Sequence, residues 1–191
     1  MTNDAASKLS PRELMVQAKN GSGEAYSALY EELYTPVFRY VYQRTLNHET
    51  AEDITQTVFL KAFQSIERYS DQGFSPLAYF FTIARNAVID LGKKQKKECQ
   101  VATDDPVFER REEPHQTPIQ KMKNKEQQIA IARAMKQLSP EQRDALVFRF
   151  VNGFKNSEIS NIMGKSEALV RQLQCRGIKQ LKTLSHLKYY L

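Results

Sequence analysis

Near the C-terminal end of the chain lie side chains that could form paired hydrogen bonds with the edges of DNA bases. Arg171, Gln172 and Arg176 are spaced so that a helix would present them on one side. In the major groove, arginine pairs with guanine and glutamine pairs with adenine. Lys179 and Lys182 follow further along, where they would meet phosphate groups. The chemistry indicated by these residues is binding to double-stranded DNA.

These side chains belong to the second helix of a helix-turn-helix predicted over residues 156–182. Ser160 is the small residue where the helices would cross, Gly164 supplies a left-handed turn, and Ser166 caps the second helix. The inward-facing positions hold Ile159, Met163, Val170 and Leu173. The outward-facing positions hold Glu167, Arg171, Gln172, Cys175, Arg176 and Lys179. An ordinary helical hairpin with a cationic face would fit the same local pattern.

No spacing of reactive side chains predicts an enzyme. Cys99 and Cys175 are far apart and the three histidines are scattered, so we expect no metal site, no disulfide framework and no catalytic triad. A phosphate-binding loop at Gly164 would need a glycine five residues earlier, where Ile159 stands. The sequence therefore predicts no catalytic residues and no cofactor. A redox role for Cys175 is a weaker alternative to its being a small helix residue.

Basic charge is concentrated in the last third of the chain. Residues 119–191 carry 14 basic and 5 acidic side chains, residues 1–98 carry 12 of each, and residues 99–118 carry 2 basic and 5 acidic ones. A basic C-terminal block suits contact with phosphates, although a solvated cationic surface would look the same. No uncharged apolar run reaches the roughly 18 residues of a membrane span, so we expect a cytoplasmic protein without membrane insertion.

The elements that position these side chains are predicted to be helices throughout, which makes the fold class all-α. Capping boxes open helices at Ser10 and Ser139, Asn47 caps another helix, and a kink is expected before Pro36. The helix after Ser139 should run to Asn152. Apolar residues at helical spacing predict the first block of helices, including a stripe at Ala51, Ile54, Val58, Ala62 and Ile66. We expect two small helical domains, at 10–94 and 119–187, joined by a flexible acidic linker over 95–118.

As a whole the chain resembles a bacterial RNA polymerase sigma factor of the sigma-70 family, of the small extracytoplasmic-function (ECF) type. Ala51–Ala62 is similar to the family's region 2.2, and Phe81–Asp90 is similar to the end of region 2.3 running into region 2.4. Leu138–Arg143 and the helix-turn-helix after it are similar to region 4. A repressor or activator would explain the helix-turn-helix but would leave the two earlier segments unexplained.

The resemblance implies a set of partners. Region 2.2 of the family docks on the clamp helices of the polymerase β′ subunit, which implies outward-facing Asp53, Gln56 and Phe59 here. Region 4 is expected to meet the β flap. The acidic linker would thread the polymerase channel, although a generic solvated tether would look the same. An anti-sigma factor is a further expected partner, as is common in the family.

The resemblance also implies two contacts with promoter DNA. Region 4 would read the minus-thirty-five element, through Ser166, Glu167, Arg171, Gln172, Cys175, Arg176 and Lys179. Lys165 and Leu173 depart from the family's commoner residues. Regions 2.3 and 2.4 would melt the minus-ten element and capture flipped bases on stacking surfaces beside basic groups. The residues implied are the loop Tyr69–Ser75, Tyr79, Arg85, Asn86, Asp90, Lys93, Lys94, Lys96 and Lys97. Tyr79 would fit a core equally well.

Overall fold

The computed structural model describes residues 9–98, 131 and 133–183, with residues 94–98 described by their backbone alone. The chain divides into two compact units between residues 101 and 102, here called unit 1 and unit 2. All regular structure in the described residues is helical, which confirms the predicted fold class. The predicted domain bounds of 10–94 and 119–187 stay a prediction, and residues 99–118 of the predicted linker lie outside the described residues.

Between residues 9 and 98, unit 1 contains four helices and one short 3-10 turn. The helices are α1 (Pro11–Lys19), α2 (Gly23–Thr45), α3 (His48–Gln64) and α4 (Pro76–Glu98), and the 3-10 turn is Ile66–Arg68. Pro36 lies inside α2, which remains one helix. Helix α4 continues four residues past the predicted domain end at 94, because lysine, glutamine and glutamate are good helix formers that need no apolar stripe.

Side-chain caps set where these helices begin. Ser10 and Glu13 form the predicted capping box: the Ser10 amide donates to Glu13 Oε2 at 2.7 Å and the Glu13 amide donates to Ser10 Oγ at 3.4 Å. Hydrogen bonds from the backbone and side chain of Ser10 hold the pKa of Glu13 below its usual range. Asn47 Oδ1 accepts from the Thr50 amide at 2.8 Å, which confirms the cap of α3. Ser22 caps α2 in the same way, which the sequence reading missed.

The core of unit 1 lies where α2, α3 and α4 pack against one another, with α1 against α2. The completely buried side chains there include Met15, Leu29, Val37, Val41, Val58, Phe80 and Phe81. At about 1.5 to 3 kcal/mol for each large apolar side chain removed from water, this burial is what holds the four helices together.

In the described part of unit 2, three helices follow a short helical stretch at 133–136. They are α5 (Pro140–Leu146), α6 (Asn156–Met163) and α7 (Glu167–Thr183). The capping box at Ser139 and Gln142 is confirmed. Helix α5 does not run to Asn152 as a regular α-helix: a π-helical turn, Val147–Val151, replaces its end, and the Asn152 amide donates to the Val147 carbonyl at 3.1 Å. Both α5 and α6 pack against α7.

Candidate nucleic-acid interface

The turn of the predicted helix-turn-helix is present between α6 and α7. Gly164 ends α6 with φ 61° and ψ 39°, the left-handed conformation that glycine adopts without steric cost. The Ser160 hydroxyl donates to the Lys165 carbonyl, and the Lys165 amide donates to the Ser160 carbonyl at 3.0 Å. Ser166 Oγ accepts from the Leu169 amide at 3.3 Å and caps α7. The turn chemistry predicted from the sequence is confirmed.

Buried side chains fix the angle between α6 and α7. The four predicted inward-facing residues are all buried: Ile159, Met163, Val170 and Leu173. Gln174 is also buried, and its Nε2 donates to Asn156 Oδ1 at 3.0 Å, which joins α7 to the start of α6. Gly177 lies against α5, where an added Cβ would come 3.0 Å from Leu146 Cδ1. Helix α7 is therefore packed against α6 on one side and against α5 on another, while its remaining side is exposed to solvent.

The open side of α7 carries the residues predicted to read DNA. All of them are exposed: Ser166, Glu167, Arg171, Gln172, Cys175, Arg176 and Lys179. Arg171 Nη1 lies 3.3 Å from Glu167 Oε2 one turn earlier, so this arginine is held along the helix. Cys175 is a free thiol on the same face. The exposure is what a recognition helix requires, while contact with DNA stays a prediction.

Lys165, which departs from the commoner apolar residue after the turn, has a structural partner. Its Nζ lies 2.9 Å from Glu141 Oε1 in the first turn of α5. The lysine side chain is 23% exposed, so most of its length is covered. The ion pair attaches the helix-turn-helix to α5 at the place where an apolar residue would otherwise pack. The unusual residue is thus explained within unit 2.

In unit 1, Tyr79 is half-buried beside the loop Tyr69–Ser75. Its hydroxyl lies 2.7 Å from the Ser65 hydroxyl, and its ring meets Tyr69 and Phe80 edge-on at centroid distances of 5.4 and 5.6 Å. Burial raises the pKa of Tyr69. The Tyr79 ring is thus part of an aromatic cluster at the base of the loop, with part of its surface accessible.

The polar residues implied for the minus-ten contact divide between surface and interior. Asn86, Asp90 and Lys93 are exposed on α4, and Lys93 Nζ lies 3.2 Å from Asp90 Oδ1. Arg85 is only 8% exposed, so the expectation that it lies on the surface with them is wrong. It follows Phe81 by four residues and therefore shares the inner face of α4. The side chains of Lys94, Lys96 and Lys97 lie outside the described residues.

The outward face of α3 differs from the predicted one at its aromatic residue. Asp53 and Gln56 are exposed as expected. Phe59 is 3% exposed, and its ring packs against Tyr30 and Phe80 with centroids 4.7 and 4.9 Å away, so its prediction as an outward contact is wrong. The exposed apolar residues close to it on α3 are Leu60 and Phe63, which the sequence analysis did not predict.

Two exposed apolar side chains follow Gln56 on α3. Leu60 is 57% exposed and Phe63 is 52% exposed, at four and seven residues after Gln56. This spacing places them on one face, which was the available signal. Together with Asp53 and Gln56 they form a surface that we call the α3 face, in which an apolar pair lies beside polar side chains. Such a combination is typical of a protein interface.

Unit 2 has an exposed apolar pair of its own. Phe150 is 67% exposed and Val151 is 63% exposed, at the end of the π-helical turn. The sequence analysis made no prediction for these two residues, which directly precede Asn152 and Gly153 at the predicted end of the helix. They and the recognition residues of α7 are separate surface features of unit 2.

Other kinds of site do not appear in the part of the chain that the structure describes. No group of three or more histidine, cysteine, aspartate or glutamate side chains there could hold a metal ion. Within the same residues, no helix is both long and apolar enough to cross a membrane. The surfaces that remain for function are α7, the loop region of unit 1, the α3 face and the Phe150–Val151 pair.

Both units match known families. Residues 29–98 match Sigma-70 region 2, and residues 128–181 match Sigma-70, region 4. The ECF RNA polymerase sigma factor BldN of Streptomyces coelicolor is 32% identical over 174 residues, which cover 90% of this chain but 64% of BldN. The ECF RNA polymerase sigma factor SigM of Bacillus subtilis is 30% identical over 156 residues, which cover 82% of this chain and 92% of SigM.

Two solved structures share the fold. CnrH, in complex with the cytosolic domain of CnrY, covers 92% of this chain and 97% of its own with a TM-score of 0.67 and 18% identity. RpoE of Bartonella quintana, in complex with the anti-sigma factor NepR, covers 85% and 97% with a TM-score of 0.66 and 19% identity. Because both regions match in order, and because SigM is matched over nearly its whole length, this chain belongs to the sigma-70 family as a sigma factor of the ECF type.

Proposed function

We propose that this protein is a promoter-specificity subunit that binds core RNA polymerase, recognises the minus-ten and minus-thirty-five elements and initiates transcription of a stress- or signal-responsive set of genes. The observation that carries the proposal is that one chain holds both a helix-turn-helix with exposed Arg171, Gln172 and Arg176 and a second unit with an exposed α3 face. A repressor would need only the first. In this role the protein performs no catalysis of its own.

Recognition of the minus-thirty-five element is assigned to α7. Its exposed arginine and glutamine side chains can form paired hydrogen bonds in the major groove, and Lys179 reaches toward phosphate. The first residues of a recognition helix are the ones that enter the groove, which places Ser166 and Glu167 there. The covered side of α7 against α5 and α6 provides the rigid support that base reading needs.

Opening of the minus-ten element is assigned to the loop region of unit 1. Tyr69 and Tyr79 supply ring surfaces beside the loop, while Asn86, Asp90, Lys93 and the lysines after it supply polar and basic groups. A flipped base gains about 1 to 3 kcal/mol from stacking on an aromatic ring, which offsets the loss of stacking in the duplex. Arg85 is left out of this assignment because it is buried.

Binding to core polymerase is assigned to the α3 face for the β′ clamp helices and to Phe150 and Val151 for the β flap. Each surface has exposed apolar area that a protein partner would remove from water. An anti-sigma factor, of the kind that NepR is for RpoE, would inhibit by covering the same surfaces. Phe63 replaces Phe59 as the aromatic anchor of this proposal.

The proposed binding to core polymerase is tested by measuring the affinity of the purified protein for core polymerase with fluorescence anisotropy. Phe63→Asp should lower the affinity by tenfold or more, since interface aromatics commonly contribute about 2 kcal/mol or more, and Asp53→Arg should impair it as well. Val16→Asp is the matched control, because Val16 is 49% exposed on α1, away from the α3 face. Duplex binding by the free protein without any association with core would favour the repressor alternative and contradict the proposal.

A further inference from the structure

Three polar contacts connect α1 to the loop Tyr69–Ser75. Lys19 Nζ donates to the Tyr69 carbonyl at 2.7 Å. Arg12 Nε lies 3.2 Å from Asp71 Oδ2, and Arg12 Nη2 donates to the Phe74 carbonyl at 3.4 Å. The contacts therefore reach the beginning, the middle and the end of the loop. Helix α1 lies before residue 29, where the match to Sigma-70 region 2 begins, so the match assigns it no role.

Asp71 uses both of its carboxylate oxygens. Oδ2 faces Arg12, while Oδ1 accepts from the Gly73 amide at 2.8 Å. Gly73 has φ 78°, a left-handed conformation that a side chain would make costly. The carboxylate thus closes the turn of the loop with one oxygen and attaches that turn to α1 with the other. The conformation of the loop and its attachment depend on the same residue.

Helix α1 is a firm base for this attachment. Leu14, Met15 and Ala18 on its inner side are buried, and the capping box at Ser10 and Glu13 fixes its first turn. The loop has no helix of its own, and its attachment is exposed: the Arg12 and Asp71 side chains are 49% and 37% exposed and line a cleft of about 430 Å³. Tyr69, at the beginning of the loop, packs against Tyr79, while Asp71 and the Phe74 carbonyl, further along the loop, are held by polar contacts to α1.

We propose that Arg12 and Lys19 are positioning residues, which hold the loop Tyr69–Ser75 in the geometry that captures unpaired bases of the minus-ten element. The inference rests on the proposed function, in which this loop and Tyr79 receive flipped bases. Losing the contacts releases the loop while leaving the α3 face and α7 unchanged. Base capture is then weakened, and affinity for core polymerase and for minus-thirty-five duplex is retained.

The test uses the holoenzyme and a single-stranded oligonucleotide carrying the non-template minus-ten sequence of a promoter on which the wild-type protein is active. Arg12→Ala is expected to weaken oligonucleotide binding by about two- to fivefold, the size of an exposed ion pair's contribution. Arg12→Ala combined with Lys19→Met should weaken it by roughly tenfold, since all three contacts between α1 and the loop are lost. Core affinity stays at the wild-type value. Arg39→Ala, which removes an exposed arginine of α2, is the matched control and is expected to change neither affinity.

A double-mutant cycle separates positioning from general stabilisation. Asp71→Asn keeps an acceptor for the Gly73 amide but loses the ion pair, so it should weaken oligonucleotide binding about as much as Arg12→Ala. The double variant should be no worse than Arg12→Ala alone, because Arg12→Ala already removes the ion pair to Asp71 together with the hydrogen bond to the Phe74 carbonyl. Multiplying effects, or equal losses in core and oligonucleotide affinity, would overturn the proposal. A wild-type protein that fails to bind core at all would instead refute the proposed function, and this inference with it.

Discussion

At the scale of single residues, the exposed face of α7 carries side chains that suit two kinds of DNA contact. Arg171 is held by Glu167 one turn earlier, whereas Arg176 and Lys179 are exposed further along the helix. Removing a side chain that reads a base edge lowers the affinity for some DNA sequences more than for others. Removing a side chain that contacts phosphate lowers the affinity for all sequences and reduces its dependence on salt. The two remaining cations can therefore be told apart by experiment.

Arg176→Ala should cost about 1 to 3 kcal/mol on a promoter with the preferred base pair at one position, and much less on a promoter changed at that position. The measurement is holoenzyme affinity for a set of minus-thirty-five duplexes with single substitutions. An equal loss on every duplex would show that Arg176 contacts phosphate instead of a base.

The Lys179→Ala variant is measured on the same duplexes for comparison with Arg176→Ala. It should weaken binding to all duplexes alike and reduce the slope of log affinity against log salt by about one, because one phosphate contact is lost. The fold of α7 should be unaffected, since Lys179 is exposed.

The sequence predicted correctly that the outward-facing residues of α7 are exposed. It did not predict that Phe59 and Arg85 are buried. Helix α3 packs against α2 and α4 together, so its buried face is wider than one stripe and includes Phe59 beside Val58. Arg85 lies on the inner face of α4, and its charge type suggested exposure. At Phe59 the resemblance to region 2.2 had implied an outward side chain, and at Arg85 the charge had suggested exposure, but in both cases the packing of the helix buries the residue.

At the scale of elements, unit 2 is built so that α7 cannot turn about its own axis. Val170 and Leu173 pack inward, Gln174 is hydrogen-bonded to Asn156, and Gly177 faces Leu146 of α5 at close range. Glycine in a helix interior costs about 0.8 to 1 kcal/mol relative to alanine. Its presence in α7 indicates that the close approach to α5 compensates for that cost.

Gly177→Leu tests this packing. Helix propensity alone would predict stabilisation by about 0.8 kcal/mol. The close contact with buried Leu146 predicts the opposite, a loss of about 1 to 3 kcal/mol from overpacking.

Urea denaturation of the variant decides between these two directions. Affinity for the minus-thirty-five duplex should fall as well, because α7 would be displaced from α5. A more stable variant with normal DNA affinity would show that Gly177 has no packing role.

Helix starts were readable from the sequence because caps are local, as at Ser10, Asn47, Ser139 and Ser166. The end of α5 was not, since no local sequence signal marks the π-helical turn at Val147–Val151. The three polar contacts between α1 and the loop could not be predicted from the sequence either. They join residues 50 or more positions apart, which no local pattern reports.

At the scale of the whole molecule, the proposal assigns different functions to the two units. Residues 119–191 carry the excess of basic charge, and residues 1–98 are balanced. Duplex affinity should therefore come mainly from unit 2, while unit 1 provides the α3 face for polymerase and the loop region for unpaired bases. Under the proposed function, the protein would direct transcription only when core polymerase is present.

We expect this protein to give core polymerase the ability to start transcription at particular promoters. The most direct measurement is run-off transcription by purified core, with and without the protein, on a library of genomic fragments from the same organism. Discrete transcripts are expected only when both are present, and they should disappear when the upstream element matching α7 is scrambled. Transcripts that are the same with and without the protein, or repression of those that core makes with another specificity subunit, would contradict the claim.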